Sequence, residues 1–173
     1  MDVALVPVPD SGARRLPAVL VMGDPELRAA LSEQLRNAGV DALAGEAAVA
    51  DRGVVFCAPT GDDATVRLAF QSARVAKLDK DGAFVVVTRL GGDFGVFGCE
   101  NPVLTGLYGL TKTVALEQPE AFVRVVDSSS NVGVEAIAAE LGRAGPVEVA
   151  LSGDERRTLA SVNLPSPHGT PDL

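Results

Sequence analysis

The sequence contains few aromatic side chains. Aromatic residues make up 4% of its 173 residues, with one tyrosine and no tryptophan, whereas 47% of the residues are hydrophobic. That hydrophobic content indicates a globular chain and excludes intrinsic disorder. Because aromatics are scarce, the core must consist of Val, Leu and Ala, the composition that buried parallel sheets prefer. A chain of this length supports one domain with a full core and hardly two.

Histidine and cysteine are almost missing as well. The only histidine, His168, lies in a proline-rich tail, which excludes a Ser–His–Asp or Cys–His catalytic site. Cys57 and Cys99 are the only cysteines, and their spacing does not suggest a metal site. Cys57 lies in an apolar run and is expected to be a buried small hydrophobe. No Gly-Lys-Ser/Thr motif occurs, so a P-loop is excluded too.

The chain also lacks an excess of positive charge. Its net charge is −8, and the sequence contains no cluster of basic residues. We therefore expect neither nucleic acid nor an anionic membrane as a partner. No segment is apolar for long enough to span a bilayer. Residues 1–16 lack the charged start and apolar centre of a signal peptide. We therefore expect a cytoplasmic protein.

Apolar runs that end in polar turns alternate along the chain with amphipathic segments. The runs are typical of buried strands and the segments of helices. The predicted strands are residues 16–24, 40–45, 52–63, 82–95 and 122–130, and the predicted helices are 24–40, 63–78, 101–118 and 131–145. Asp24 is a good N-cap with Pro25 in the first turn, Asn101 and Pro102 open the third helix in the same way, and either Asp62 or Asp63 caps the second helix. Residues 146–162 resemble two short strands around a Ser-Gly-Asp turn.

This alternation predicts the fold class. Strands that alternate with helices form right-handed βαβ crossovers and a parallel sheet. We therefore predict one doubly wound α/β domain with a mostly parallel, Rossmann-like sheet. Residues 1–15 are interpreted as an N-terminal segment, residues 16–163 as the domain, and residues 164–173 as a proline-rich linker or end.

The first strand-to-helix turn tests whether such a sheet binds a dinucleotide. Close approach of a pyrophosphate requires several glycines and free backbone N–H groups in this turn. Here Gly23 stands alone and is followed by Asp24 and Pro25. Asp24 puts a carboxylate where the anion would lie, and Pro25 removes an N–H donor. We therefore expect an ordinary capped helix and no cofactor-binding residue in this turn.

A second candidate site is a tyrosine and a lysine four residues apart on the third predicted helix. Tyr108 and Lys112 share one helix face, as the catalytic pair of short-chain reductases does. In that family the pair is followed about two turns later by a Leu-Thr…Leu-Ala-x-Glu segment, and residues 110–117, "LTKTVALE", match that later segment. The family's tyrosine position therefore falls within residues 99–103, which contain no tyrosine. Thr88 stands where the family's carbonyl-polarising serine is usual. The favoured interpretation is a tyrosine at the margin beside a solvated lysine.

Residues 106–127, "GLYGLTKTVALEQPEAFVRVVD", resemble a particular family. They are similar to the structural subdomain of ketoreductase regions in type I polyketide synthases and polyunsaturated fatty acid synthases. Residues 85–95, with their Thr-Arg pair, and the predicted hairpin at 146–162 agree with it. The resemblance implies a non-catalytic, pseudo-Rossmann half that packs against and orients a second half. That second half binds NADPH and reduces a carrier-bound β-ketoacyl thioester within a multidomain synthase.

The resemblance assigns no catalytic residue, cofactor-binding residue or metal ligand to this chain, because the family's Ser, Tyr and Lys belong to the catalytic half. The implied partners are that half and an acyl carrier protein. A structural role also predicts an exposed apolar patch larger than monomers usually tolerate.

Two alternatives remain open. One is a complete, divergent NADPH-dependent reductase that uses Tyr108, Lys112 and Thr88. The other is a carrier-protein docking or ligand-binding module built on the glycine-rich loop after residue 88, with Phe94 and Phe97 as apolar contacts. For that loop we favour a simpler interpretation, in which both phenylalanines cover the carboxyl end of the sheet. The polar loop at 127–133 is interpreted as a solvated capping loop, with a ligand-facing loop as the alternative.

Overall fold

The computed structural model describes residues 2–9, 12–99 and 101–162. This part of the chain forms eight strands and four α-helices. The strands are β1 (Asp2–Pro7), β2 (Val19–Gly23), β3 (Ala42–Ala44), β4 (Gly53–Ala58), β5 (Ala83–Thr88), β6 (Phe122–Ser128), β7 (Glu148–Ser152) and β8 (Glu155–Val162). The helices are α1 (Pro25–Asn37), α2 (Asp63–Val75), α3 (Gly106–Glu117) and α4 (Val134–Leu141), and a 3₁₀ turn at Pro102–Thr105 precedes α3.

The strands form one sheet in the order β1-β8-β7-β6-β5-β4-β2-β3. Strands β2 to β7 pair in parallel, and β8 runs antiparallel to both β7 and β1. After β2 the chain goes outward to β3 and then returns to the other side of β2 for β4. This reversal puts a topological switch point between β2 and β4. The predicted doubly wound, mostly parallel α/β fold is confirmed.

Helices cover both faces of the sheet. Helices α1 and α4 contact each other on one face, over a cluster that includes Leu31, Val55 and Ile137. Helices α2 and α3 lie side by side on the other face, over a cluster that includes Phe56 and Leu107. Val, Leu and Ala dominate both clusters, as the scarcity of aromatics predicted.

The predicted caps of the first two helices are present. The Asp24 carboxylate accepts a hydrogen bond from the backbone N–H of Leu27 at 2.9 Å, and Pro25 occupies the first turn of α1. Asp62, and not Asp63, caps α2, where it forms a capping box with Thr65. Local sequence therefore determines where both helices begin.

The segment interpreted as lying before the domain contributes a strand to the sheet. Strand β1 pairs with β8 over its full length, from Asp2↔Val162 to Pro7↔Arg157. No strand was predicted there, because the prolines of this segment argue against a central strand. An edge strand tolerates proline, since the N–H that proline lacks points away from its single neighbour.

All four helices are shorter than predicted, and the differences are largest for α3 and α4. Helix α4 ends at Leu141, where Gly142 forms the C-cap, instead of continuing to Gly145. Helix α3 begins at Gly106 and not at Asn101, because the Asn101 side chain donates to the carbonyl of Gly61 at 2.7 Å and does not cap a helix. The predicted linker at 164–173, with His168, lies outside the described residues.

A buried ion network fastens strand β8 to the domain. The Glu140 carboxylate accepts from Arg124 Nη1 at 2.8 Å and from Arg156 Nε at 2.6 Å. All three side chains are nearly inaccessible to solvent. Arg124 also donates to the carbonyls of Arg143 and Pro146. Burial lowers the pKa of Arg124 to about 10, although the charge of Glu140 acts to raise that pKa.

The longest helix in the described part of the chain has 13 residues, and none there is long and apolar enough to cross a membrane.

Candidate functional site

The switch point between β2 and β4 is packed backbone to backbone. Gly23 ends β2 with a φ of +93°, and a Cβ on it would lie 2.1 Å from the carbonyl oxygen of Cys57 in β4. The N–H of Asp24 donates to the same carbonyl at 2.9 Å. The single glycine of this turn is therefore required by the contact between two strand ends.

The first turn of α1 presents a carboxylate at the switch point. Asp24 accepts from Leu27 N–H, which satisfies one of the free donors of the helix terminus, and Pro25 has no N–H to offer. The geometry matches the sequence expectation of a capped helix start in this turn.

The most heavily hydrogen-bonded side chain at the carboxyl end of the sheet is the carboxylate of Asp127, the penultimate residue of β6. It accepts from the Thr88 hydroxyl at 2.8 Å. It also accepts four backbone N–H groups at 2.7–3.1 Å, from residues 90, 92, 93 and 94 of the glycine-rich loop after β5. Asp127 is fully buried. Its negative charge is therefore stabilised by amides of the loop, and the loop is held down onto the sheet.

Tyr108 lies against this cluster. Its hydroxyl is 3.2 Å from Thr88 Oγ1, and its ring meets the ring of Phe94 edge-on, with centroids 5.2 Å apart. Burial, together with the nearby negative charge of Asp127, raises the pKa of the phenol, and the hydrogen bond with Thr88 only partly opposes this. The phenol is therefore a neutral, buried hydrogen-bonding group.

Lys112 points elsewhere. Its ammonium lies 3.2 Å from a carboxylate oxygen of Glu148, and its side chain is 52% exposed, whereas Tyr108 is buried. Within the described residues no hydrogen bond joins Tyr108 to Lys112. The structure thus places Thr88 beside Tyr108, as a reductase site would require, but it separates the lysine from both. The favoured interpretation of Lys112 as a solvated surface lysine agrees with its position, whereas Tyr108 is a core residue and does not lie at the margin.

The two phenylalanines of the glycine-rich loop differ from each other. Phe94 is buried against Tyr108, with a φ of +57°, so it does cover the end of the sheet. Phe97 is 81% exposed. The expectation that both cover the sheet is therefore wrong for Phe97. The sharp turns on either side of it, at Gly95 and Gly98, carry its side chain outward, with φ values of +75° and +126°.

A pocket of about 460 Å³ lies beside this loop. Arg89 donates to the carbonyl of Ser130 there, at 3.1 Å, and so ties the glycine-rich loop to the polar loop after β6. Ser129 donates to Asn131 within the polar loop, and Ser128 donates to the carbonyl of Thr88. Ser129 bonds locally, but helix α4 has Gly133 as its N-cap and no side-chain cap from the described residues, so the interpretation of residues 127–133 as a helix-capping loop is wrong.

The cysteines and acidic groups form no metal site in the described residues. Cys57 is buried, as predicted, and burial is the main cause of the raised pKa of its thiol. No group of three or more His, Cys, Asp or Glu side chains in the described ranges could hold a metal ion.

Sequence reasoning did not identify the two buried polar clusters, one around Asp127 and one in which Glu140 pairs with Arg124 and Arg156. A signal was available, because Arg124 and Asp127 interrupt an otherwise apolar strand that is predicted to be buried. A charge in such a strand requires a buried partner. Glu140, the partner of Arg124, lies on α4, and no local pattern connects the two.

No protein-family model matches the sequence, and no curated protein matches it either. The solved structures that are similar in fold include the following two. One is of A-type ketoreductases from a modular polyketide synthase, with a TM-score of 0.59, 20% identity, and coverage of 95% of this chain and 44% of that one. The other contains the adenylation, ketoreductase and pseudo-Asub domains of a keto acid-selecting NRPS module, with a TM-score of 0.57, 16% identity, and coverage of 93% and 18%. The chain therefore spans less than half the length of either structure, and at these identities the likeness is one of fold.

Proposed function

We propose that this chain is the non-catalytic structural half of a ketoreductase region. In this role it packs against a second half that binds NADPH and reduces a carrier-bound β-ketoacyl thioester. The chain itself binds no cofactor and supplies no reacting group. It orients the catalytic half within a larger synthase.

The main observation behind the proposal is the share of the A-type ketoreductase structure that this chain matches. Nearly the whole of this chain, 95%, aligns with only 44% of that chain. The matched portion has about the length of one half of a two-part region, and the features of the site described next favour the half without a cofactor.

Two features of the site support the same proposal. At the switch point, where doubly wound proteins usually bind nucleotides, Gly23 packs directly against the Cys57 carbonyl. It is followed by the capping carboxylate of Asp24 and by Pro25, which has no N–H. The hydroxyls of Thr88 and Tyr108 are engaged with each other, and Thr88 also donates to Asp127, inside the core. These groups stabilise the domain and are poorly placed to polarise a substrate carbonyl.

Calorimetric titration with NADPH tests the non-catalytic role. We expect no binding heat when the purified chain is titrated with millimolar NADPH. Saturable binding, together with loss of reduction in Tyr108→Phe, would instead support the alternative of a divergent reductase.

Reconstitution tests the structural role. The reductase half encoded with this chain is assayed for reduction of a β-ketoacyl thioester with and without the chain. Because misplacement of reacting groups by about 1 Å costs about 100-fold in rate, we expect the chain to raise the activity of that half by at least about tenfold. Equal activity with and without the chain would refute the orienting role.

Docking of an acyl carrier protein is a second candidate function, and the exposure of Phe97 favours it. The base of the loop is held by Asp127, so Phe97 is presented on an anchored segment. Affinity for the carrier protein is compared between the chain and Phe97→Ser. Equal affinities would reject docking at this loop.

A further inference from the structure

Two arginine side chains from distant parts of the chain lie together at the amino end of β6. Arg14 precedes β2, whereas Arg124 is the third residue of β6, which begins at Phe122. The guanidinium groups of Arg14 and Arg124 lie 4.8 and 4.9 Å from the centroid of the Phe122 ring. The fold therefore brings positive charges together although the sequence contains no cluster of basic residues.

The positive charge of this region is only partly neutralised by the described residues. Arg124 and Arg156 share the single carboxylate of Glu140. Arg14 lies over the Phe122 ring and forms no ion pair with a described residue. Burial is the main cause of the lowered pKa of Arg124, and repulsion by Arg156 and Arg14 lowers it further. Three guanidinium groups and one carboxylate leave an excess of two positive charges.

Arg14 and Arg124 both line a pocket of about 160 Å³. The side chain of Arg124 is only 2% exposed, and it donates from Nε and Nη1 to oxygens of Pro146, Glu140 and Arg143. Its Nη2 donates to no described residue, so this group is available to a ligand. No acidic residue of the described chain lines the pocket. Because a buried guanidinium requires acceptors for its N–H groups, the lining favours an anion.

A larger cavity of about 790 Å³ adjoins this pocket, because Arg14 and Phe122 line both. Basic residues outnumber acidic ones in its described lining, with Arg14, Arg15, Lys77 and Lys80 against Asp41 and Asp81. A surface with an excess of one charge raises the local concentration of ions of the opposite sign. The excess at this cavity therefore favours the approach of an anion towards Arg14.

We propose that the pocket lined by Arg14 and Arg124 binds a compact oxyanion with two negative charges, for which inorganic phosphate is the probe. Guanidinium groups bind phosphate oxygens through paired N–H donors, and a dianion matches the excess of two positive charges. The pocket is smaller than the about 300–1,000 Å³ of sites for drug-sized ligands, so it excludes a nucleotide. It lies at the amino end of β6, whereas the switch point lies at the carboxyl ends of β2 and β4, so this inference is independent of the proposed function.

Calorimetric titration with sodium phosphate tests the proposal, with sodium chloride at equal ionic strength as the reference. We expect saturable binding of one phosphate per chain. We also expect a higher melting temperature in phosphate than in chloride, because a ligand that binds only the folded chain stabilises it. Absence of saturable phosphate binding would overturn the proposal.

Arg14→Gln and Arg67→Gln form a matched pair of variants. Both arginines are exposed and neither forms an ion pair with a described residue, but Arg67 lies on α2 and does not line the pocket. We expect Arg14→Gln to weaken phosphate binding at least about tenfold, because a charge-assisted hydrogen bond is lost, and Arg67→Gln to bind normally. Equal weakening in the two variants would mean that phosphate responds only to the overall charge, and the site would be refuted.

Ala115→Leu separates the pocket from its charge. Ala115 is half-buried on α3 and lines the pocket, so a leucine there fills the space and leaves every arginine in place. Alanine and leucine both favour helices, so we expect the circular dichroism spectrum to be unchanged. We expect phosphate binding to be lost. Unchanged phosphate affinity in this folded variant would show that the anion binds elsewhere.

Discussion

The carboxylate of Asp127 and the hydroxyl of Thr88 are joined by a 2.8 Å hydrogen bond between the carboxyl ends of two adjacent strands. The same carboxylate holds four N–H groups of the glycine-rich loop. In a doubly wound sheet this edge usually receives a ligand. Here an internal side chain on β6 holds the loop that follows β5.

Asp127→Ala is expected to destabilise the chain strongly. The substitution leaves a hydroxyl and four amides of the loop without their acceptor, so we expect the free energy of unfolding to fall by about 3–4 kcal/mol. Urea unfolding followed by circular dichroism measures the change. Asp154→Ala, at the exposed turn between β7 and β8, is the control and should change stability by less than about 0.5 kcal/mol. A small effect at Asp127 would mean that the loop folds without its anchor.

Gly23→Ala tests the contact at the switch point. The new Cβ would lie 2.1 Å from the carbonyl oxygen of Cys57, in addition to the strain of a positive φ. We expect a loss of about 3 kcal/mol or more. Gly39→Ala is the matched control, because Gly39 also has a positive φ, of +81°, but no atom lies within 4 Å of its Cβ position. Strain alone should cost about 1–2 kcal/mol there. Equal losses in thermal melts would disprove the close contact.

The ionisation of Tyr108 should be suppressed in the folded chain. Burial first, and the charge of Asp127 second, raise the pKa of this phenol above its ordinary value of 10.0. The raised pKa contributes stability that is fully present below pH 10 and is lost as the pH rises from there toward the folded pKa. Tyr108 is the only tyrosine, so absorbance at 295 nm reports on it alone. We expect phenolate to appear only when the chain unfolds. An ordinary titration near pH 10 in the folded state would contradict the buried position.

Glu140→Gln should loosen β8. The substitution removes the negative charge that Arg124 and Arg156 share and leaves two buried guanidinium groups without a counterion. Breaking a buried ion pair in this way costs about 3–5 kcal/mol. Hydrogen exchange should show faster exchange of the β8 amides first, because Arg156 lies on that strand. Glu135→Gln, on the exposed side of the same helix, is the control and should leave exchange unchanged.

Local sequence was sufficient to predict most of the helices and strands and the α/β class. It was insufficient to predict the two buried polar clusters. The caps at Asp24 and Asp62 form within three residues of the groups that they bind, so their patterns predicted them correctly. Strand β1 was not predicted, because an edge strand with prolines has no strong pattern of its own. The prediction that Phe97 covers the sheet failed, because the turns on either side of it decide its direction.

The sequence by itself determined an acidic α/β chain with a Val-, Leu- and Ala-rich core, capped helices and a single glycine in its first turn. Hydrophobic periodicity and capping act over a few residues, and the chain encodes them directly. Tertiary structure alone decided that Asp127 binds the glycine-rich loop, that Tyr108 contacts Thr88, and that Lys112 pairs with Glu148. In the sequence, Thr88 is 20 residues from Tyr108 and 39 residues from Asp127. Their meeting depends on strand register and helix packing, which no short segment specifies.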